Sequence, residues 1–113
     1  MRGVRQESAD QGFVDNMFWA KAFRTRYDIV VAICDEKLLD KELDWKKLKI
    51  KVSKGFYGEK LISEAIAVKL MGKATVGNLF GKEIVGIAKK NGFITKENII
   101  LIDDIPHAQF VRL

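Results

Sequence analysis

The sequence predicts an α+β domain: a mostly antiparallel sheet of about five strands, ordered β-β-β-α-α-β-β, with helices packed on one face. Three observations carry this. Two apolar runs of strand length, "MFWAKAFRT" (17–25) and "DIVVAICD" (28–35), are separated by only two residues. The segment "KLKIKVS" (47–53) alternates with period two. Two later stretches, 61–74 and 82–92, carry apolar residues at helical spacing.

Taken in order, residues 1–16 ("MRGVRQESADQGFVDN") are polar and without period, which predicts a loosely ordered N-terminal extension ahead of a single α+β domain at 17–113. Residues 17–25 and 28–35 are rich in aromatic and β-branched side chains and predict an antiparallel hairpin. "EKLLDKEL" (36–43) reads as one helical turn or an ordered loop. In 47–53, Leu48, Ile50 and Val52 face one way, toward the core, and Lys47, Lys49 and Lys51 face the other. "KGFYGEK" (54–60) reads as a glycine-bounded loop. In 61–74, Ile62, Ile66 and Leu70 form the inward face of a helix, beside Ala65 and Met71. "TVGNLFG" (75–81) reads as a short helix or a continuation of it. In 82–92 the inward residues are Ile84, Ile87 and Ala88, with Lys89 and Lys90 in the last turn and Gly92 just beyond it. "TKEN" (95–98) is a turn, and "IILI" (99–102) and "AQFVRL" (108–113) are two last strands around "DDIP".

The chain has 113 residues, a size at which one domain buries a real core. No apolar run approaches 18 residues, so no membrane partner is expected. Arg2 and Arg5 are not followed by an apolar stretch, so no secretory signal is expected either. A single cysteine cannot form an internal disulfide, and the expected setting is cytoplasmic. The net charge of +5 permits contact with nucleic acid through a general positive field.

Five groups of residues are candidates for chemistry. "GNLFGKE" (77–83) faintly resembles a phosphate loop, but the glycine spacing is short and Glu83 stands where Ser or Thr would hold magnesium. Cys34 and His107 are each the only residue of their type, and a thiol beside an imidazole would make a nucleophile. Asp103, Asp104 and His107 offer oxygen and imidazole ligands, yet no second cluster completes a metal site, and Asp-Asp before Ile-Pro is more simply a turn. No metal and no cofactor is therefore expected. Lys47, Lys49, Lys51 and Lys54 lie near Phe56 and Tyr57, the mixture that neutralises phosphates and stacks bases. The plainer reading of the same residues is a solvated strand edge guarded by charge. Thr75 and Asn78, three apart, would share one helix face.

Several segments together carry a resemblance. "CDEKLL" (34–39), "VSKGFYG" (52–58), "KATVGNLFG" (73–81) and "IPHAQFVRL" (105–113), in that order and spacing, resemble the archaeal family known as domain of unknown function 424. The likeness runs from about Met17 to Leu113, and the "PHAQ" ending is its most specific part. Its pattern singles out Cys34, Asp35, Phe56, Tyr57, Gly58, Thr75, Asn78, Gly81, Pro106, His107, Ala108 and Gln109. The resemblance implies a small archaeal protein, and an association with translation or RNA metabolism, and gives these residues no roles.

The expected function is thus a non-enzymatic binding module for RNA or a ribonucleoprotein partner. Lys47, Lys49, Lys51 and Lys54 would supply charge, and Phe56, Tyr57, His107 and Gln109 contacts. The first alternative is a small enzyme with a site around His107, Asp103, Asp104 and Cys34. The second is a protein–protein adaptor or homodimer pairing through an edge strand such as 108–113. Pro106 fixes φ and lacks an N–H, so it suits the start of a strand. His107 and Gln109 should alternate onto one side there, with Ala108 and Phe110 on the other.

Overall fold

The structure, a computed structural model, describes residues 16–112, so the proposed extension lies outside the described residues apart from Asn16. The chain runs β1 (Met17–Arg24), β2 (Ile29–Asp35), β3 (Glu42–Trp45), β4 (Leu48–Lys51), α1 (Lys54–Tyr57), β5 (Lys60–Ser63), α2 (Glu64–Lys73), β6 (Val76–Phe80), α3 (Lys82–Lys90), β7 (Ile99–Ile102) and β8 (Ile105–Val111). Short 3₁₀ turns occupy Glu36–Leu38 and Lys96–Asn98. The α+β class stands. Six strands form the main sheet in the order β5-β1-β2-β6-β8-β7, and β3 and β4 form a separate hairpin. Among the described residues, only β2 and β6 pair in parallel.

The longer helices, α2 and α3, share one face of the sheet. Phe18, Ile33 and Leu79 meet Ala67 and Met71 of α2 and Ile84, Val85 and Ala88 of α3, all buried. The other face is partly covered by the 36–38 turn, the β3–β4 hairpin and the short α1. There Ala32, Cys34 and Phe80 meet Leu38, Leu43, Val52 and Tyr57. Cover on both faces explains why β2 reads as a continuous apolar run rather than an alternation: Val31, Ala32, Ile33 and Cys34 are all buried.

Several elements differ from the sequence expectation. Residues 75–81 are not helical: β6 is a central strand, and Leu79 and Phe80 bury on opposite faces. Such a strand has no period-two pattern to announce it. The 54–60 loop contains a one-turn helix, capped where Ser53 Oγ accepts the Phe56 N–H at 3.2 Å. The 61–74 helix begins later, because Lys60–Ser63 extends the sheet as β5 and Ser63 Oγ then caps α2 through the Ile66 N–H. Its buried residues are Ala67 and Met71, while Ile66 is exposed. The 42–45 strand was not expected at all. In β4, Val52 just beyond it is buried but Leu48 is exposed, because this strand pairs only with β3. The final strand is interior, between β6 and β7, so it is not the edge expected at 108–113. The main sheet's edges are β5 and β7.

The 82–92 reading holds, with Ile84 and Ala88 buried and Gly92 at φ +78 after the helix. The "DDIP" turn is real: Asp103 and Asp104 have φ of +52° and +63°, the left-handed pair of a tight two-residue hairpin turn. Its Asp103 Oδ2 accepts the Asp44 N–H at 3.1 Å and so pins the β7–β8 turn to the β3–β4 hairpin. Among the described residues, no helix is long and apolar enough to cross a membrane.

Candidate nucleic-acid interface

The covered half of the second sheet face ends at α1. Beyond it, the register sets Phe23 beside Val30, Val30 beside Val76, and Val76 beside Val111, a row running across four strands. The first three are half-buried and Val111 is exposed. The next row holds Asn78 opposite Gln109, and Gln109 Nε2 donates to Asn78 Oδ1 at 2.9 Å. Asn98 Nδ2 donates to the Gln109 carbonyl at 3.1 Å. Gln109 is therefore anchored by its neighbours yet still exposed, and Asn78 lies on a strand, not on a helix face with Thr75.

The aromatic pair of the family pattern divides its work. Tyr57 turns inward against Phe80, ring centres 6.4 Å apart. Burial raises its hydroxyl pKa well above the ordinary value. Phe56 turns outward, 37% exposed, and packs on Phe23 with centres 5.5 Å apart. Lys21 reaches beside them and donates from Nζ to the Gly55 carbonyl at 2.9 Å.

The turn between β1 and β2 closes this open half of the sheet, and sequence reasoning passed over it. Tyr27 is 81% exposed, with the Arg26 guanidinium 5.4 Å from its ring centre. Arg24 and Arg26 are exposed and meet no carboxylate within ion-pair distance among the described residues. The turn is held rigid from beneath. The Asp28 N–H donates to Thr25 Oγ1 at 3.0 Å, the Thr75 hydroxyl donates to Asp28 Oδ1 at 2.9 Å, and the Ile29 N–H donates to Thr75 Oγ1 at 2.9 Å. Thr75 is thus a clasp between the turn and the start of β6. The signal was present as "RTRY", two arginines and a tyrosine in four residues.

The lysine row looks different once paired. Lys49 makes an ion pair with Asp44, and Lys51 sits opposite Glu42 in the hairpin register. Lys54 reaches Asp40 at 3.6 Å. Lys47 is exposed at the hairpin tip. Much of the row's charge is therefore locally compensated.

The residues of the alternative enzyme site do not converge. Cys34 and His107 lie on the same sheet face but two strands apart, with Phe80 of β6 between them in register. That spacing is about 10 Å at the backbone. Cys34 is fully buried, and desolvation pushes its thiol pKa up to about 12, so it is no thiolate at neutral pH. His107 packs edge-on against Phe80, ring centres 4.9 Å apart. Asp103 and Asp104 are exposed in their turn. No group of three or more metal-ligating side chains stands together among the described residues.

The remaining pattern residues shape the start of α3. Asp35, at the end of β2, accepts the Glu83 and Ile84 N–H groups at 2.9 and 2.8 Å. Burial raises its pKa, and those two hydrogen bonds oppose the shift. Gly81 lets the chain turn there: its φ is +126°, and a Cβ would lie 2.3 Å from the Asp35 carboxyl carbon. A strand does precede the glycine and a helix follows it, but Asp35 fills the seat that a phosphate loop leaves for its anion. A cleft of about 500 Å3 opens beside this point, lined by both signs of charge in Asp35, Glu36, Lys37, Lys82 and Glu83.

Burial lowers the His107 pKa. A histidine depressed in the folded state contributes stability above its unfolded pKa of about 6.5 and loses it as pH falls toward the folded value. The melting temperature should therefore drop between pH 7.5 and 5.5, and His107→Phe should flatten that slope while keeping a ring on Phe80. An equally steep slope in the variant, followed by circular dichroism, would remove His107 from this account.

The family model described as "Protein of unknown function (DUF424)" matches residues 23–113. A crystal structure of an uncharacterized conserved protein from Methanopyrus kandleri superposes with a TM-score of 0.74 at 23% identity, covering 86% of this chain and 94% of that one. At that identity the likeness concerns the fold. No curated protein matches. Every residue of the "CDEKLL", "VSKGFYG", "KATVGNLFG" and "IPHAQFVRL" segments falls within the matched span, and the chain belongs to the family of domain of unknown function 424.

Proposed function

We propose that this domain binds single-stranded RNA, alone or within a ribonucleoprotein, on the open half of its sheet and the adjoining β1–β2 turn. The observation that carries the reading is Tyr27, 81% exposed with the Arg26 guanidinium over its ring, an arginine that meets no carboxylate among the described residues. An exposed ring costs burial energy, and a partner that stacks on it recovers that energy. Arginine's flat fork suits phosphate and stacks with bases. Phe23 and Phe56 extend the aromatic surface, and the exposed amide of Gln109 offers hydrogen bonds beside it. Lys21 and Lys47 add to the field, with Lys49, Lys51 and Lys54 contributing less because acidic residues face them. Binding without catalysis fits the dispersal of Cys34, His107 and the aspartates. The setting is intracellular, where RNA is abundant and Cys34 stays reduced.

Fluorescence anisotropy with a labelled single-stranded RNA tests this at two salt concentrations. Wild type should bind, with affinity falling as salt rises. Tyr27→Ala combined with Phe56→Ala should weaken binding by at least tenfold, since each stacked base contributes about 1–3 kcal/mol. Lys47, Lys49 and Lys51 changed together to Glu should also weaken it, without unfolding the domain. A wild type that shows no salt-dependent RNA binding sinks the proposal.

A further inference from the structure

The two edges of the main sheet are not alike. β5 carries Lys60 and is flanked by Glu59 and Glu64, charges that discourage pairing with another strand. β7 reads Ile99-Ile100-Leu101-Ile102 and carries none. Ile100 is 47% exposed and Leu101 58%.

The backbone of this edge can be assigned group by group. Ile102 and Ile105 flank the two-residue turn, so they exchange both hydrogen bonds. Leu101 opposite Pro106 is then the alternate pair, which exchanges none. Proline at that position agrees, because it has no N–H to exchange. Pro106 instead turns its carbonyl to β6, where it accepts the Gly81 N–H at 2.9 Å. Leu101 therefore directs both its N–H and its carbonyl away from β8, along an edge that no other strand among the described residues pairs with. Ile99 shares that direction, but its N–H is already spent on the Lys96 carbonyl at the end of the 3₁₀ turn.

We propose that β7 is a self-association edge, and that a second copy of this chain pairs with it antiparallel about a two-fold axis at Leu101. Of the symmetric registers, this one leaves the Ile99 N–H in its existing bond. Each Leu101 then gives its N–H to the other's carbonyl and receives the other's N–H in return. The exposed Leu101 side chains face one another on the helix-bearing side. Ile100 meets the partner copy's Ile102 on the opposite side. No like charges meet within the paired strands, because none is present there. Closed two-fold pairing of this kind satisfies the edge once and leaves no further edge of the same sort.

Analytical ultracentrifugation of the full chain over a concentration series tests the pairing, and cysteine variants test the register. The expected result is a concentration-dependent dimer. Leu101→Lys should give a monomer with an unchanged circular dichroism spectrum, since this side chain is largely exposed. On oxidation, Leu101→Cys should form a disulfide-linked dimer, because paired residues there stand about 5.5 Å apart at Cα, within disulfide reach. Ile100→Cys should link far less. A monomer at every concentration, a dimer that survives Leu101→Lys, or Ile100→Cys linking as well as Leu101→Cys would each overturn the proposal. None of these outcomes depends on RNA.

Discussion

Gly81→Ala should destabilise the domain by about 3 kcal/mol or more. The backbone there, at φ +126° and ψ 150°, belongs to a region that only glycine enters freely, and forcing another residue into it costs about 1–3 kcal/mol. The added methyl would also occupy the space of the Asp35 carboxylate, 2.3 Å from its carbon. Asp35 would have to leave the Glu83 and Ile84 N–H groups, and losing a helix cap costs roughly 1 kcal/mol more. Gly86→Ala is the control. It lies mid-helix in α3 with nothing within 4 Å of a new Cβ, so it should be neutral or stabilising by up to about 1 kcal/mol. Urea denaturation of the two variants makes the comparison. A Gly81→Ala cost of only a few tenths would show that Asp35 does not need this glycine.

Phe18→Ala should cost about 3–5 kcal/mol, the range for removing a buried aromatic ring from a packed core. Phe18 is fully buried and stands between Asp35 of β2 and Ile62 of β5 in the sheet register. Its ring belongs to the cluster shared by α2, α3 and the sheet. Against a total of about 5–15 kcal/mol for a domain of this kind, such a loss leaves little margin. The melting temperature should fall by well over 10 °C, at about 4 °C or more per kcal/mol. A drop of only a few degrees would mean that α2 closes over the gap.

The parts of this fold that the sequence made legible are those with a strong local signal. The 82–92 helix has one dry and one wet face and Gly92 at its end, and the hairpin was legible from two runs rich in aromatic and β-branched residues across a two-residue gap, although β2 is buried on both faces. The missed parts lack such a signal. Val76–Phe80 buries residues on both sides, so it lacks the period of a strand. Gly77 is there because the Phe110 ring occupies the place of its side chain, a contact between strands that no local pattern reveals. Ile62 fitted a helical spacing because β5 runs into α2 without a break, and Ser63 alone marks the join.

The candidate site was harder to read for a related reason. The lysines of 47–54 stood out by repetition, but the acidic residues that compensate them come from β3 and the turn before it. The proximity of Phe56 and Phe23 and the clasp of Thr75 on Asp28 depend on pairings between distant segments. "PHAQ" was recognisable as a motif, while its roles, His107 on Phe80 and Gln109 on Asn78, appear only with β6 in place.

The parallel pairing of β2 with β6 also bears on how the chain finds this fold. Ile29 and Thr75, which meet at its start, are 46 residues apart. The β1–β2 hairpin and the β3–β4 hairpin close over short loops and can form early. The middle of the sheet cannot close until the intervening segment has been laid down and α2 has brought the chain back. Folding should then be limited by this central seam, at milliseconds to seconds. On a ribosome, the N-terminal half would wait with one side of β2 unpaired until β6 emerges.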